Sequence, residues 1–332
     1  MRWARLAGTA LVLTAVAGGC GDDGEAAAPA DEPVVSTTST APVTSVPTTP
    51  APPTTPTTAP VAATLAPILA GERPRAAEDP AALAVQITET EHAIRDPATP
   101  PDVLDAAGRL QQVAYRRLGE HPEWDQAVIA AVPPEMADVV TRHAGARRNL
   151  RALTTQLSDT LPAWRIVEPL PAPELLAAYQ EAEARFGVPW TVLAAVNMVE
   201  TGFGRIVGLS TAGALGPMQF IQSTWDAYGM GGDVWNPHDA ILGAANYLAA
   251  NGGGTGTPEG LANALAHYNH SQHYVDAVLA YSSLIDQDPR VFDGFHAWEI
   301  VYRTTLGDVL LPTGYESTER IPVAEYLAEN PQ

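Results

Sequence analysis

Between about residues 78 and 160, apolar positions recur three or four apart in AALAVQITETEHAIRD, PDVLDAAGRLQQVAYRRLGEH and PPEMADVVTRHAGARRNLRALTTQL. That period places them on one face of a helix, so three or so amphipathic helices are predicted. Pro80, Pro101 and Pro134 stand near the predicted starts, where a missing N–H is harmless. No chemistry is visible in these helices; they are expected to brace the domain C-terminal to them. Leu161 to Pro173 reads as a proline-broken connector.

A second helical run covers about residues 172–283. ELLAAYQEAEARFGV, PWTVLAAVNMVE, STWDAYG, HDAILGAANYLAANGG and EGLANALAHYN each fit a helix, with glycine stops at 187, 229 and 252, and Ser271 to Ile285 reads as a last one. Alternating β-branched positions are scarce, so the fold class is mainly α. The tail after residue 286, with VFDGFHAWEIVYRTTLGDVLLPTGY, mixes aromatic, β-branched and turn residues and predicts a short hairpin or strap.

The first 76 residues differ in kind. Arg2 and Arg5 precede a short apolar run, Leu6 to Ala17, and then Gly18-Gly19-Cys20. This is the layout of a secretory signal, and the run is too short for a comfortable membrane span. Cys20 is the one cysteine of the chain, so no intramolecular disulfide forms. Its setting resembles a bacterial lipobox, which implies acylation of Cys20 and attachment to a membrane through the N-terminal lipid, with Ala17 where Leu is usual. Residues 21–76 are rich in Pro, Thr, Ala and Ser and bury too little apolar surface to offset ordering entropy, so a disordered linker is expected. At ~3.1 Å per residue in polyproline II geometry, such a linker reaches on the order of 100 Å.

The formal net charge of −20, from 38 acidic and 18 basic residues, repels phosphate backbones and argues against nucleic acid as a partner. No lysine is present.

The sharpest feature is LAAVNMVETGFG, residues 193–204. Leu193, Val196, Asn197 and Glu200 share one helical face, so Glu200 lies on or beside the buried stripe. Burial and the negative end of a helix both disfavour its carboxylate form, and both raise its pKa toward the range of a general acid. Gly202 and Gly204 end the helix and leave room beside the carboxyl. Read alone, the segment fits equally a helix-end glutamate in water or one paired with Arg205.

Glu200-Thr201, then Gly216-Pro217-Met218-Gln219-Phe220 with Ser223-Thr224-Trp225, then ALAHYN ending in Tyr268-Asn269, follow in an order that resembles the lytic transglycosylases. These are bacterial cell-wall enzymes with a lysozyme-like helical domain, and the likeness is strongest to the membrane-bound B-type branch and its actinobacterial relatives. It covers about residues 172–283. Thr201 stands where Ser is common, and His267 and His270 also depart from the pattern. The resemblance implies Glu200 as the catalytic residue, acting as acid and then base. It implies Gln219, Tyr268, Asn269, Met218, Phe220, Thr201 and Asn197 around the substrate, with the tyrosine hydroxyl reaching Glu200 or an acetyl group. It implies cleavage of the N-acetylmuramic acid–N-acetylglucosamine bond of peptidoglycan to 1,6-anhydro ends.

The organisation expected is a lipoprotein signal over 1–20, a linker over 21–76, a helical region over 77–165, the transglycosylase domain over 166–285 and a strap over 286–332. The protein is expected to be a monomer in the cell envelope, with peptidoglycan strands as partner and neither cofactor nor metal. Asp233 and Asp239 lack the alternation of a calcium loop, and His267, His270 and His273 drift around a helix. The rival readings are a hydrolytic muramidase, with Asp226, Asp233 or Asp239 as second carboxylate, and a non-catalytic wall-binding protein.

Overall fold

The structure, a computed structural model, describes residues 63–332; the expected signal, Cys20 and most of the expected linker lie outside them. The chain begins with α1 (Ala66–Leu69), α2 (Pro80–Arg95), α3 (Pro101–Glu120), α4 (Asp125–Ala131) and α5 (Ala137–Leu153). Two short strands, β1 (Thr160–Leu161) and β2 (Arg165–Ile166), lead into α6 (Ala172–Phe186) and α7 (Trp190–Thr201). Then come β3 (Ile206–Val207), α8 (Gln222–Tyr228), α9 (Pro237–Ala250), α10 (Pro258–Tyr268), α11 (Gln272–Gln287) and α12 (Arg290–His296). The hairpin β4 (Ile300–Thr304) and β5 (Gly307–Leu311), then β6 (Ile321–Pro322) and α13 (Val323–Glu329), complete it. The fold is mainly α, as the periodicity requires.

Local chemistry sets the helix ends. Asp79 caps α2 by accepting from the N–H groups of Ala81 and Ala82, both at 3.0 Å, with Pro80 at the first turn. Asn236 and Thr257 cap α9 and α10 in the same way, each before a proline. Pro134 does not open α5: it opens a 3-10 turn, Pro134–Met136, and the regular helix starts at Ala137. The short α4 between α3 and α5 has too few turns to show a period, which is why the pattern misses it.

The main core joins Tyr179, Leu193, Ile241, Leu265, Val278 and Phe292, all essentially without exposed area. Helix α7 is its centre, buried almost all round. The core crosses the expected limits at 166 and 286. Val139 and Ala146 of α5, Phe295 of α12 and Trp298 just beyond it belong to it. Helix α5 packs on α11 and α3 on α12. β1 pairs antiparallel with β6, and β2 with β3. The flanking segments therefore share buried surface with the central helices. The expected strap is the β4–β5 hairpin, in register from Ile300↔Leu311 to Thr304↔Gly307, with a helix on either side.

One buried polar cluster fixes how the first helices meet the last. Glu91 has no exposed area and accepts hydrogen bonds from Gln111 (3.0 Å) and the Tyr115 hydroxyl (2.8 Å), with Arg95 paired beside it. Gln111 in turn accepts from the Trp298 indole N–H at 3.1 Å. A buried carboxylate needs such partners. Here they tie α2 and α3 to a tryptophan that lines the cavity over Glu200.

Candidate active site

The carboxyl of Glu200 sits one residue before the end of α7. Gly202 stops the helix with φ 60 and ψ 50, letting its own N–H reach Met198 O at 3.0 Å and that of Phe203 reach Asn197 O at 3.2 Å. Glu200 is 7% exposed, and its Oε1 accepts one hydrogen bond, 2.7 Å long, from the hydroxyl of Tyr274 on α11. Burial pushes the carboxyl up to about 8, against a smaller downward pull from the Tyr274 hydroxyl. Arg205 does not pair with it: that guanidinium lies 3.4 Å from Glu168 and donates to His296 O at 2.8 Å.

The turn Leu215–Phe220 is built against this helix end. Leu215 and Phe220 exchange two 2.8 Å backbone hydrogen bonds, and Gly216 takes φ 70 at its start. A Cβ on Gly216 would stand 1.9 Å from Val234 O. Gln219 adopts the left-handed φ of 51, donates from Nε2 to Gly216 O at 2.9 Å, and lines the same cavity as Glu200. Thr201 donates to Pro217 O at 2.6 Å and accepts from the Gly204 N–H at 2.9 Å. Asn197 donates to the same Pro217 oxygen at 2.9 Å and accepts from Tyr179 at 2.6 Å. Together they bolt α7 to the turn.

Most of the residues expected around the substrate are buried. Thr201 and Met218 have no exposed area, and Asn197, Asn269 and Phe220 are 1–3% exposed. Side chains so covered hold the site's frame. Phe220 packs on Trp225 with ring centroids 5.1 Å apart. Tyr268 does not bond Glu200: its hydroxyl donates to Met218 O at 2.6 Å, clamping the turn, while its ring lies parallel to that of Tyr274 at 6.3 Å. The tyrosine that touches the carboxyl was missed, because Tyr274 sits inside an ordinary amphipathic helix. Its position three residues into α11, one turn past Asn269, was the only available signal.

A cavity of about 220 Å³ opens over Glu200 and Gln219. Much of its wall comes from outside the central helices: Trp164, Trp298 and Tyr302 supply aromatic faces. Glu299 is the second carboxyl of the wall, and burial raises its pKa. Asp226, Asp233 and Asp239 are not on it. Asp226 accepts from Gln222 and Asp239 caps the Asp233 N–H, at 2.8 and 2.9 Å. Among the described residues no three His, Cys, Asp or Glu side chains converge as metal ligands would.

The site is thus a buried acid at a helix end, beside a Gly-x-Met-Gln turn and an open cleft. Residues 177–285 match the family model described as Transglycosylase SLT domain. Over 108 residues it is 33% identical to a membrane-bound lytic murein transglycosylase F of Thiobacillus denitrificans, a stretch that is 31% of this chain and 23% of that protein's length. A solved structure described as a 36 kDa muramidase/transglycosylase is similar at 16% identity, covering 68% of this chain and 99% of its own, with a TM-score of 0.32.

Proposed function

We propose that the protein is a peptidoglycan lytic transglycosylase in which Glu200 works alone, first as acid and then as base. The observation that carries this is the buried carboxyl, raised to about 8, facing a cavity with a single hydroxyl bonded to it. Protonated Glu200 gives its proton to the oxygen joining N-acetylmuramic acid to N-acetylglucosamine, and the C1–O4 bond breaks. The 2-acetamido group steadies the cationic C1. The ionised carboxylate, held by Tyr274, then takes the proton of that sugar's own C6 hydroxyl, whose oxygen bonds to C1. The product is a 1,6-anhydro end and no water is consumed. An internal nucleophile gains from high effective concentration. Gln219 orients the acetamido group or a hydroxyl, and Trp164, Trp298 and Tyr302 face the sugar rings.

The envelope is the natural setting for this activity. The relative's name places it at a membrane, and the expected acylation of Cys20 with the linker after it would hold a monomeric enzyme within reach of the wall. Among the described residues no helix is long and apolar enough to cross a membrane.

Glu299 on the same wall favours a second reading, a muramidase in which water opens the bond. Mass spectrometry of purified peptidoglycan after digestion separates the two: muropeptides one water lighter than the reducing forms are expected, and reducing ends alone would replace the proposal with hydrolysis.

Tyr274→Phe sharpens the assignment. The phenol lowers the Glu200 carboxyl, so its removal moves the alkaline fall of the pH–rate profile upward, beyond the wild-type position near 8. It also strips the carboxylate of a hydrogen bond worth about 1.5–3 kcal/mol, which lowers kcat about 10- to 100-fold.

A further inference from the structure

Four arginines line the cavity that holds Glu200: Arg116 of α3, Arg147 and Arg151 of α5, and Arg303 of β4. All lie outside residues 177–285, in a chain of net charge −20. Two are balanced: Arg116 pairs with Asp308, and Arg151 with Glu120 at 2.7 Å. Two are not. Arg303 donates to Arg151 O at 2.8 Å, and no carboxylate among the described residues pairs with it. Arg147 is 7% exposed, its Nε has no hydrogen-bond partner, and no carboxylate pairs with it either. The Tyr281 hydroxyl lies beside the Arg147 guanidinium, and Asp308 and Glu120 attract Arg303 only from a distance, so the positive charge on this wall is incompletely offset. Repulsion from Arg147 adds to burial in holding Arg116 down to about 10, and Arg151 does the same, in direction, to Arg303. An anion of the ligand would complete the balance of charge on this wall.

We propose that Arg147 and Arg303, supported by Arg116 and Arg151, form a subsite for a carboxylate of the stem peptide carried by the muramoyl unit. This rests on the proposed function, and the substrate's chemistry selects the anion. The glycan strand is uncharged, since its amines are acetylated. Its negative charge resides on the peptide attached through the lactyl ether, and guanidinium forks bind carboxylates with two parallel hydrogen bonds. The subsite is separate from the proton-transfer centre, because Glu200 is shifted by burial and Tyr274 and by none of these arginines. The flanking helices and hairpin thus read the peptide while the central helices cleave the sugar.

The test compares kcat/KM of the full-length protein on strands bearing stem peptides and on the same strands with the peptide carboxylates converted to neutral amides. Wild type is expected to prefer the strands with free carboxylates at least tenfold. Arg147→Gln and Arg303→Gln are expected to cut that ratio fivefold or more, mainly through KM, and Arg147→Lys to restore part of it. Calorimetric titration of the full-length Glu200→Gln protein with free stem peptide gives an activity-independent readout. Affinity should fall tenfold or more when Arg147→Gln is added, and should weaken with salt. An unchanged ratio, no peptide binding, or tighter binding of inorganic phosphate than of peptide would overturn the subsite. If wild type cleaves neither strand, the proposed function fails, and the peptide titration still decides the subsite.

Discussion

Glu200→Gln is expected to lower kcat on peptidoglycan by about 10²- to 10⁴-fold, the usual contribution of a positioned acid–base group. Glutamine keeps the shape and accepts the Tyr274 hydrogen bond but has no proton to give. The same substitution has a second, opposite effect on stability. The carboxyl ionises near 4.5 in a flexible chain and about 8 when folded, so between those values the unfolded state has shed a proton that the folded state keeps. Stability of the wild type is therefore full below pH 4.5, falls as pH rises toward 8, and levels off above it. The loss is on the order of a few kcal/mol, at about 1.4 kcal/mol per pH interval. Glu200→Gln has no such proton to lose. Thermal unfolding measured at pH 5 and pH 9 should show the variant gaining on the wild type as pH rises. Equal pH slopes in the two proteins would mean that the carboxyl is not buried, and retained turnover would remove it from catalysis.

Gly216→Ala should be the most damaging change outside the carboxyl itself. The residue sits at φ 70, where a side chain costs about 1–2 kcal/mol. Its Cβ would also stand 1.9 Å from Val234 O, a backbone atom that no rotamer change can move. Overpacking adds about 1–3 kcal/mol, so a loss of about 3 kcal/mol is expected, seen as a Tm roughly 6–12 °C lower. Activity should fall further than stability explains. The turn carries Gln219 into the cavity and presents Pro217 O and Met218 O to Thr201, Asn197 and Tyr268. Gly213→Ala is the control: it has a similar φ of 79 but open space around it, so only the backbone strain applies. If both variants melt alike, the contact with Val234 is not what fixes the turn.

Much of the site's frame was legible because its causes are local. The three-, four- and seven-residue spacings that put Glu200 with Leu193 and Asn197 on a buried face act within two helical turns, and the glycine after Thr201 stops that helix by its own φ. Met218, Thr201 and Asn197, expected around the substrate, are buried in the frame of the site. A motif marks residues that belong to a site without saying whether they form its surface or its scaffold. Burial decides that, and burial is a sum over distant neighbours.

The sequence by itself determined the longer helices and placed a carboxyl at the end of α7, because each follows from side chains a few residues apart. Only the tertiary structure decided that Tyr274, 74 residues away, and not Tyr268, holds that carboxyl. It alone brought Trp298, Glu299 and four arginines from the flanking segments onto one cavity wall. The physical reason is range. Backbone propensity and helical period act along the chain, whereas removal of water and the meeting of charges depend on which remote surfaces pack together.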